Sequence, residues 1–180
     1  FMVGGYVGWT IAIRLGMSFW LAILVGGIVA GLVGLAVQRG FLQFLYKQLY
    51  EQVVLTVGVL FVLTNSILWI WTGETRPPFT APIMASSFSV LGVTYPIHRI
   101  ATIGIGFLLA FLLWWFQEKT RVGAIIRAGM DDKRTVVVLG IDVGQVDSLV
   151  FFLGAFMAGI AGVLGAQMMG LNINLGITIL

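Results

Sequence analysis

Four times in 180 residues the chain runs almost without charge: from about Met17 to Val37, Val53 to Trp71, Ile97 to Phe116 and Val146 to Met169. Each run reaches about 20 residues, the length a helix needs to cross roughly 30 Å of hydrocarbon. Inside that layer every backbone N–H and C=O must find a partner within the protein, which leaves helices or closed strand barrels. Barrels need short segments of alternating polarity. The runs here are unbroken and rich in Leu, Ala and Gly, so helices are expected. Charged residues make up 9% of the chain and apolar ones 59%, whereas a soluble domain is about 25% charged; such a chain cannot cover itself with a water-facing exterior. The expected fold is all-α, a polytopic transmembrane helical bundle forming one domain over 1–180. Phe1 to Ile13, apolar but too short to cross, reads as the tail of an earlier span. Phe1 does not look like a natural start, and no basic segment leads into an apolar core as a signal peptide requires, so the chain reads as beginning part-way through a longer protein.

The loops orient the bundle, because Lys and Arg are retained on the cytoplasmic side. Arg39 and Lys47 lie between the first two runs, and Lys119, Arg121, Arg127, Lys133 and Arg134 between the last two; only Arg14, Arg76 and Arg99 fall on the opposite side. Segments 38–52 and 117–145 are therefore expected in the cytoplasm and 73–98 outside. Trp9, Trp20, Trp69, Trp71, Trp114 and Trp115 all stand near run ends, at the headgroup level their amphipathic rings prefer. Pro77, Pro78, Pro82 and Pro96 all fall in the outer segment. Each removes a helical donor, which predicts an irregular loop there with a short extended piece around Ser89 to Tyr95.

Several function classes drop out. Without Cys, and with His98 as its single histidine, the chain offers no thiolate or imidazole cluster for a metal. Paired carboxylates, a His-Glu-x-x-His helix and a nucleophile–base pair are missing, so no catalytic residue is assigned and no enzyme is expected. The net charge of +3 sits between apolar runs and forms no basic stripe interleaved with aromatics, so nucleic acid is not an expected partner. Lipid is.

The fourth run carries small residues every fourth position, Gly154, Ala158, Gly162 and Ala166, with Ala155 and Gly159 beside them, and the first carries Gly27, Gly31 and Gly34. Small side chains let helix backbones approach closely where lipid supplies no hydrophobic drive; tight packing is the reading adopted for them. Thr64, Asn65 and Ser66 are polar residues within the second run. They must bond to a neighbouring helix, the preferred reading, or line a wet path. The second alternative makes Asn65 and Ser66, with Asn172 and Asn174 beyond the fourth run, candidate solute contacts. Segment 41–50 has Phe41, Leu45 and Leu49 on one face and reads as an interfacial anchoring helix. Between the last two runs, Val122, Ile125, Ile126, Gly129 and Met130 follow helical spacing with Arg121, Arg127, Asp131 and Asp132 on polar faces. A second short helix follows, capped by Asp131 or Asp132 and stopping at Gly140. From the pattern alone, such an amphipathic helix either lies on lipid or docks into a partner.

Thr120 to Val143 reads TRVGAIIRAGMDDKRTVVVLGIDV and precedes GAFMAGIAGVLGA. It resembles the cytoplasmic coupling loop of inner-membrane permease subunits of the branched-chain amino acid ABC importer family, whose relatives include urea and short-amide permeases. The matching positions are Gly123, Arg127, Ala128, Asp131, Asp132, Leu139, Gly140 and Ile141. The opening FMVGGYVGW is similar to that family's early span, and the likeness extends over the whole chain. Val136 to Val138 depart from it, standing where small residues are often found. The resemblance implies that the loop docks, through Gly123, Arg127, Ala128, Asp131, Asp132, Gly140 and Ile141, onto a separate ATPase subunit. It also implies a second, homologous permease, an external solute-binding protein, and a multi-pass location in a bacterial or archaeal inner membrane. No Gly-x-x-x-x-Gly-Lys-Ser/Thr loop is present to cradle ATP phosphates, so no cofactor is assigned to this chain. ATP-driven import of a small polar solute is the expected function, with branched-chain amino acids as cargo and urea or short amides as rivals. An ion-coupled carrier and a non-transporting membrane scaffold are the alternatives from other classes.

Overall fold

The computed structural model describes residues 1–16, 18–45, 49–72, 87–90, 93–131, 136 and 138–171. Helix α1 spans Met2–Trp9 and continues as a π turn over Thr10–Arg14; α2 is Phe19–Gly40, α3 Leu49–Trp71, α4 Ile97–Lys119, α5 Arg121–Asp131 and α6 Val143–Met169. Helical stretches long and apolar enough to cross a membrane occur at Phe19–Phe44, Tyr50–Trp71, Ile100–Lys119 and Gly144–Met168. They coincide with the four apolar runs, and the fold is the expected all-α one. Within 73–98, β1 (Ser87–Val90) and β2 (Val93–Pro96) pair antiparallel with Ser87 opposite Pro96 and Val90 opposite Val93. The predicted extended piece, 89–95, thus covers part of each of the two paired strands; Pro77, Pro78 and Pro82 lie outside the described residues.

The chain divides into two compact units, one formed by 1–84 and 151–180, the other by 85–150. In the first, the backbones of α1, α2 and α6 meet. A Cβ on Gly4 would lie 2.5 Å from Gly159 Cα, and one on Gly159 would lie 2.9 Å from the Gly26 carbonyl oxygen. Two glycines therefore face each other with no room for a methyl, an approach that gains dispersion contacts along the whole crossing. Contacts rise together along α1 and α6, Gly4 with Gly159 and Gly8 with Val163, so these helices run parallel. They run in opposite order along α2, where Gly27 meets Phe156 and Gly31 meets Phe152, so α2 is antiparallel to α6. The rings of Phe152 and Phe156 stack at 6.1 Å over those two glycines.

The packing stripe on α6 differs from a strict four-residue repeat. Gly162 packs against the backbone of Phe1, and Gly159 is central, but Gly154 meets nothing within 4 Å. Four residues turn an α-helix by about 400°, so a four-spaced stripe drifts about 40° per step and has left the interface after three. The surface actually buried follows Gly159, Gly162, Val163 and Ala166, with Ala158 only half-buried.

The described residues of segment 41–50 do not continue the anticipated interfacial helix, and 46–48 lie outside the described residues. α2 runs on to Gly40, a single 3-10 turn follows over Leu42–Phe44, and Leu49 and Tyr50 already belong to α3. The Gln52 side chain reaches back and donates to the Leu45 carbonyl at 2.9 Å.

Candidate functional site

The junction of α4 and α5, in the second unit, is built around three residues. Thr120 ends α4: its hydroxyl donates to the Phe116 carbonyl at 2.6 Å and accepts from the Gly123 N–H at 3.1 Å. The second bond caps the N-terminus of α5, where the first N–H groups lack helical partners. Gly123 then sits against the Gln117 carbonyl so closely that any Cβ there would overlap it. Arg127, one turn further, donates from its guanidinium to that same Gln117 carbonyl and lies 3.4 Å from the Glu118 carboxylate. Arg127 and Glu118 are half exposed, so their charge pairing is worth little. The carbonyl bond matters more, because the last carbonyls of α4 are unpaired within the helix and carry its negative dipole end.

This junction sorts the residues expected at the coupling contact. Gly123, buried, and Arg127, half exposed but bonded back to the Gln117 carbonyl, hold α5 to the end of α4. Ala128 and Asp131 are exposed, as are Arg121 and Ala124. Ile125, Ile126 and Gly129 turn toward the chain that follows, lining a groove of about 200 Å³ with Val136, Val146 and Val150. Met130 is 82% exposed despite falling in the apolar spacing pattern, and Val138 and Leu139 are exposed too. Gly140 has φ +78°, and the Ile141 N–H donates back to the Val136 carbonyl at 3.4 Å. That is the left-handed stop expected of a helix C-terminus, reached without a side-chain clash only by glycine. Asp142 then caps α6, its carboxylate accepting from the N–H groups of Gly144 at 2.9 Å and Gln145 at 3.4 Å. The caps Thr120 and Asp142 went unused in the sequence reading, although Asp142 with Gln145 three positions on is a capping-box spacing. Asp132 lies outside the described residues.

The polar residues of the second run also resolve. Thr64, Asn65 and Ser66 each donate to the carbonyl one turn back in their own helix, those of Leu60, Phe61 and Val62, at 2.8, 2.8 and 2.7 Å. The preferred bond to a neighbouring helix is replaced by this local one, which satisfies the donor without any partner element. Asn65 and Ser66 lie on an exposed, open groove of about 840 Å³ with Phe61 and Trp69. Asn172 and Asn174 lie outside the described residues. A more enclosed cavity of about 270 Å³ lies between α1, α2, α3 and α6 within the first unit, and Thr56 is its single polar lining side chain.

Two features at the other end of that unit were missed. Thr10 opens the π turn: its hydroxyl donates to the Tyr6 carbonyl at 2.8 Å and accepts from the Trp71 indole N–H at 2.8 Å. The Trp71 ring lies 5.6 Å from that of Tyr6. The indole N–H expected to reach toward water thus ties α3 to α1. The second feature is Gln167, buried near the end of α6 with neither amide atom hydrogen-bonded among the described residues. A glutamine inside an apolar run was the available signal, masked by its nearness to the run's end.

Residues 1–179 match a family model described as branched-chain amino acid transport system / permease component. No curated protein and no solved structure matches the chain.

Proposed function

The chain belongs to the family of branched-chain amino acid transport system permease components, and from that premise we propose that it is the multi-pass membrane subunit of an ATP-driven importer. The observation that carries the ATP-driven part is α5. This helix is clamped to the end of α4 by Gly123 and Arg127, yet keeps Ala128, Met130 and Asp131 exposed. A helix held rigidly on one side and open on the other can pass a displacement from a docked partner into a span, which a mobile surface helix cannot. The partner is an ABC-type ATPase subunit. A second permease and an external solute-binding protein complete the assembly, in a bacterial or archaeal inner membrane with 38–52 and 117–145 cytoplasmic. Alternating access then follows from the partner binding one arrangement of the spans better than the other.

Branched-chain amino acids are the preferred cargo over urea or short amides. The half-open cavity between α1, α2, α3 and α6 is, among its described lining residues, almost wholly apolar, which suits an aliphatic side chain better than a small polar amide.

The test uses the full-length protein and its neighbouring ATPase. Asp131→Lys combined with Ala128→Trp is expected to abolish co-purification of the two and ATP-driven uptake, leaving the fold intact. Uptake that persists without ATP and collapses with an ion gradient overturns the importer reading in favour of a carrier. A folded protein with neither uptake nor an ATPase partner favours the scaffold.

A further inference from the structure

Gln167 stands in α6 at 2% exposure, and among the described residues neither its amide nitrogen nor its amide oxygen has a hydrogen-bond partner. A buried amide left in this state is costly, and native structures rarely tolerate it without a reason in function or an unseen partner. The polar residues of α3 show how easily the cost is avoided, since Thr64, Asn65 and Ser66 all bond back to their own helix. Neighbouring Val163, Leu164 and Ala166 show that an apolar side chain suits this stretch of α6.

Its level in the bundle follows from the helix contacts. Val163 meets both Gly8 of α1 and Gly26 of α2. Gln167 lies about one turn further along the same face. α2 runs antiparallel to α6, which puts Gln167 near the level of the fully buried Ala22, while on the α1 side its neighbours Gly165 and Ala166 pack against Phe1 and against Met2 and Tyr6. In the same unit α1 ends in a π turn, where the Leu15 N–H bonds to the Thr10 carbonyl at 3.2 Å, five residues back instead of four; such turns are frequent at functional sites.

We propose that Gln167 is a solute-binding group of the transport path, its amide pairing with the adjacent donor and acceptor of a small neutral solute. This rests on the importer reading above. An amide offers two N–H donors and one oxygen acceptor without net charge. It can donate to a carboxylate or carbonyl oxygen and accept from an ammonium or amide N–H of the same molecule. Two solute classes share that chemistry, the head of an α-amino acid and a urea-type amide. A charged residue here would bind one half of a zwitterion and repel the other.

The experiment reconstitutes the full-length permease with its ATPase and solute-binding protein in liposomes and measures solute taken up per ATP hydrolysed, with L-leucine in one arm and urea in the other. Gln167→Met keeps length and volume and removes both hydrogen-bonding atoms. The ratio is expected to fall about tenfold, the loss of a hydrogen-bonded contact of ordinary strength, for whichever solute the wild type carries, and that arm identifies the class. If the Met variant does not assemble, Gln167→Asn, which withdraws the amide by one methylene, is expected to lower the ratio several-fold. Wild-type uptake with a ratio unmoved in the assembled variant overturns the assignment to Gln167 alone. Absence of ATP-driven uptake in the wild type overturns the importer reading and this assignment with it.

Discussion

Gly123 shows how much one missing methyl group can decide. Its Cα lies so near the Gln117 backbone that alanine cannot be accommodated unless α5 moves off the end of α4. Gly123→Ala is expected to cost about 1–3 kcal/mol, the usual penalty of overpacking a tight site. Thermal unfolding of the purified full-length protein would read that loss, and coupled uptake should fall with it. Arg127 illustrates what sequence cannot reveal at this scale. An arginine on an amphipathic helix looks like a surface charge awaiting a partner, and only the turn at Thr120 brings it back onto the Gln117 carbonyl. Gln167 was hidden for a different reason. Hydropathy averages over a window, and a single amide in an apolar run of this length hardly moves the average.

Among the elements, the spans were legible because each must satisfy one strong constraint, an apolar length matched to the bilayer. The ends of α5 and α6 were partly legible: Gly140 announces a stop, whereas Thr120 and Asp142 are caps that resemble ordinary loop residues until a helix is seen to begin after them. Gly140→Ala, forced to hold φ +78°, is expected to destabilise the α5–α6 connection by about 1 kcal/mol. Faster amide exchange in the first turn of α6 would check it. Helix pairing was legible in kind and not in phase. Glycines mark where backbones meet, but which of Gly154, Gly159 and Gly162 does so depends on the drift of the helix face relative to its partners. Gly159→Leu is therefore expected to abolish the folded yield, since its site abuts the Gly26 carbonyl, the Gly27 backbone and the Ala30 methyl. Gly154→Leu, with open space before it, should express and unfold as the parent does. Equal behaviour of the two would contradict the packing described. Segment 41–50 misled because an apolar face alone does not make a helix: α2 takes the chain to Gly40 and α3 resumes at Leu49, leaving a 3-10 turn among the described residues between.

For the molecule as a whole, the matched family and the four spans establish a multi-pass membrane permease component, and orientation is the quantity still carried by loop charge. The chain contains no Cys, so Met130→Cys introduces a thiol at a highly exposed position of α5. On a cysteine-free background it is expected to react with a membrane-impermeant reagent in inverted vesicles and to stay unlabelled in intact cells; the opposite pattern would reverse the assigned topology. Broad apolar faces on α3 and α4 remain uncovered within their own units, Phe61, Val62, Phe107 and Phe111 among them, and in a membrane these are surfaces for lipid or for neighbouring subunits.

α6 runs as one unbroken helix from the Asp142 cap to Met169. A rod of that length, about 40 Å at 1.5 Å per residue, resists twisting along its axis far better than a chain with a hinge. It can cross hydrocarbon with its interior N–H groups paired to its own carbonyls, so that its backbone needs no neighbour to shield it from lipid.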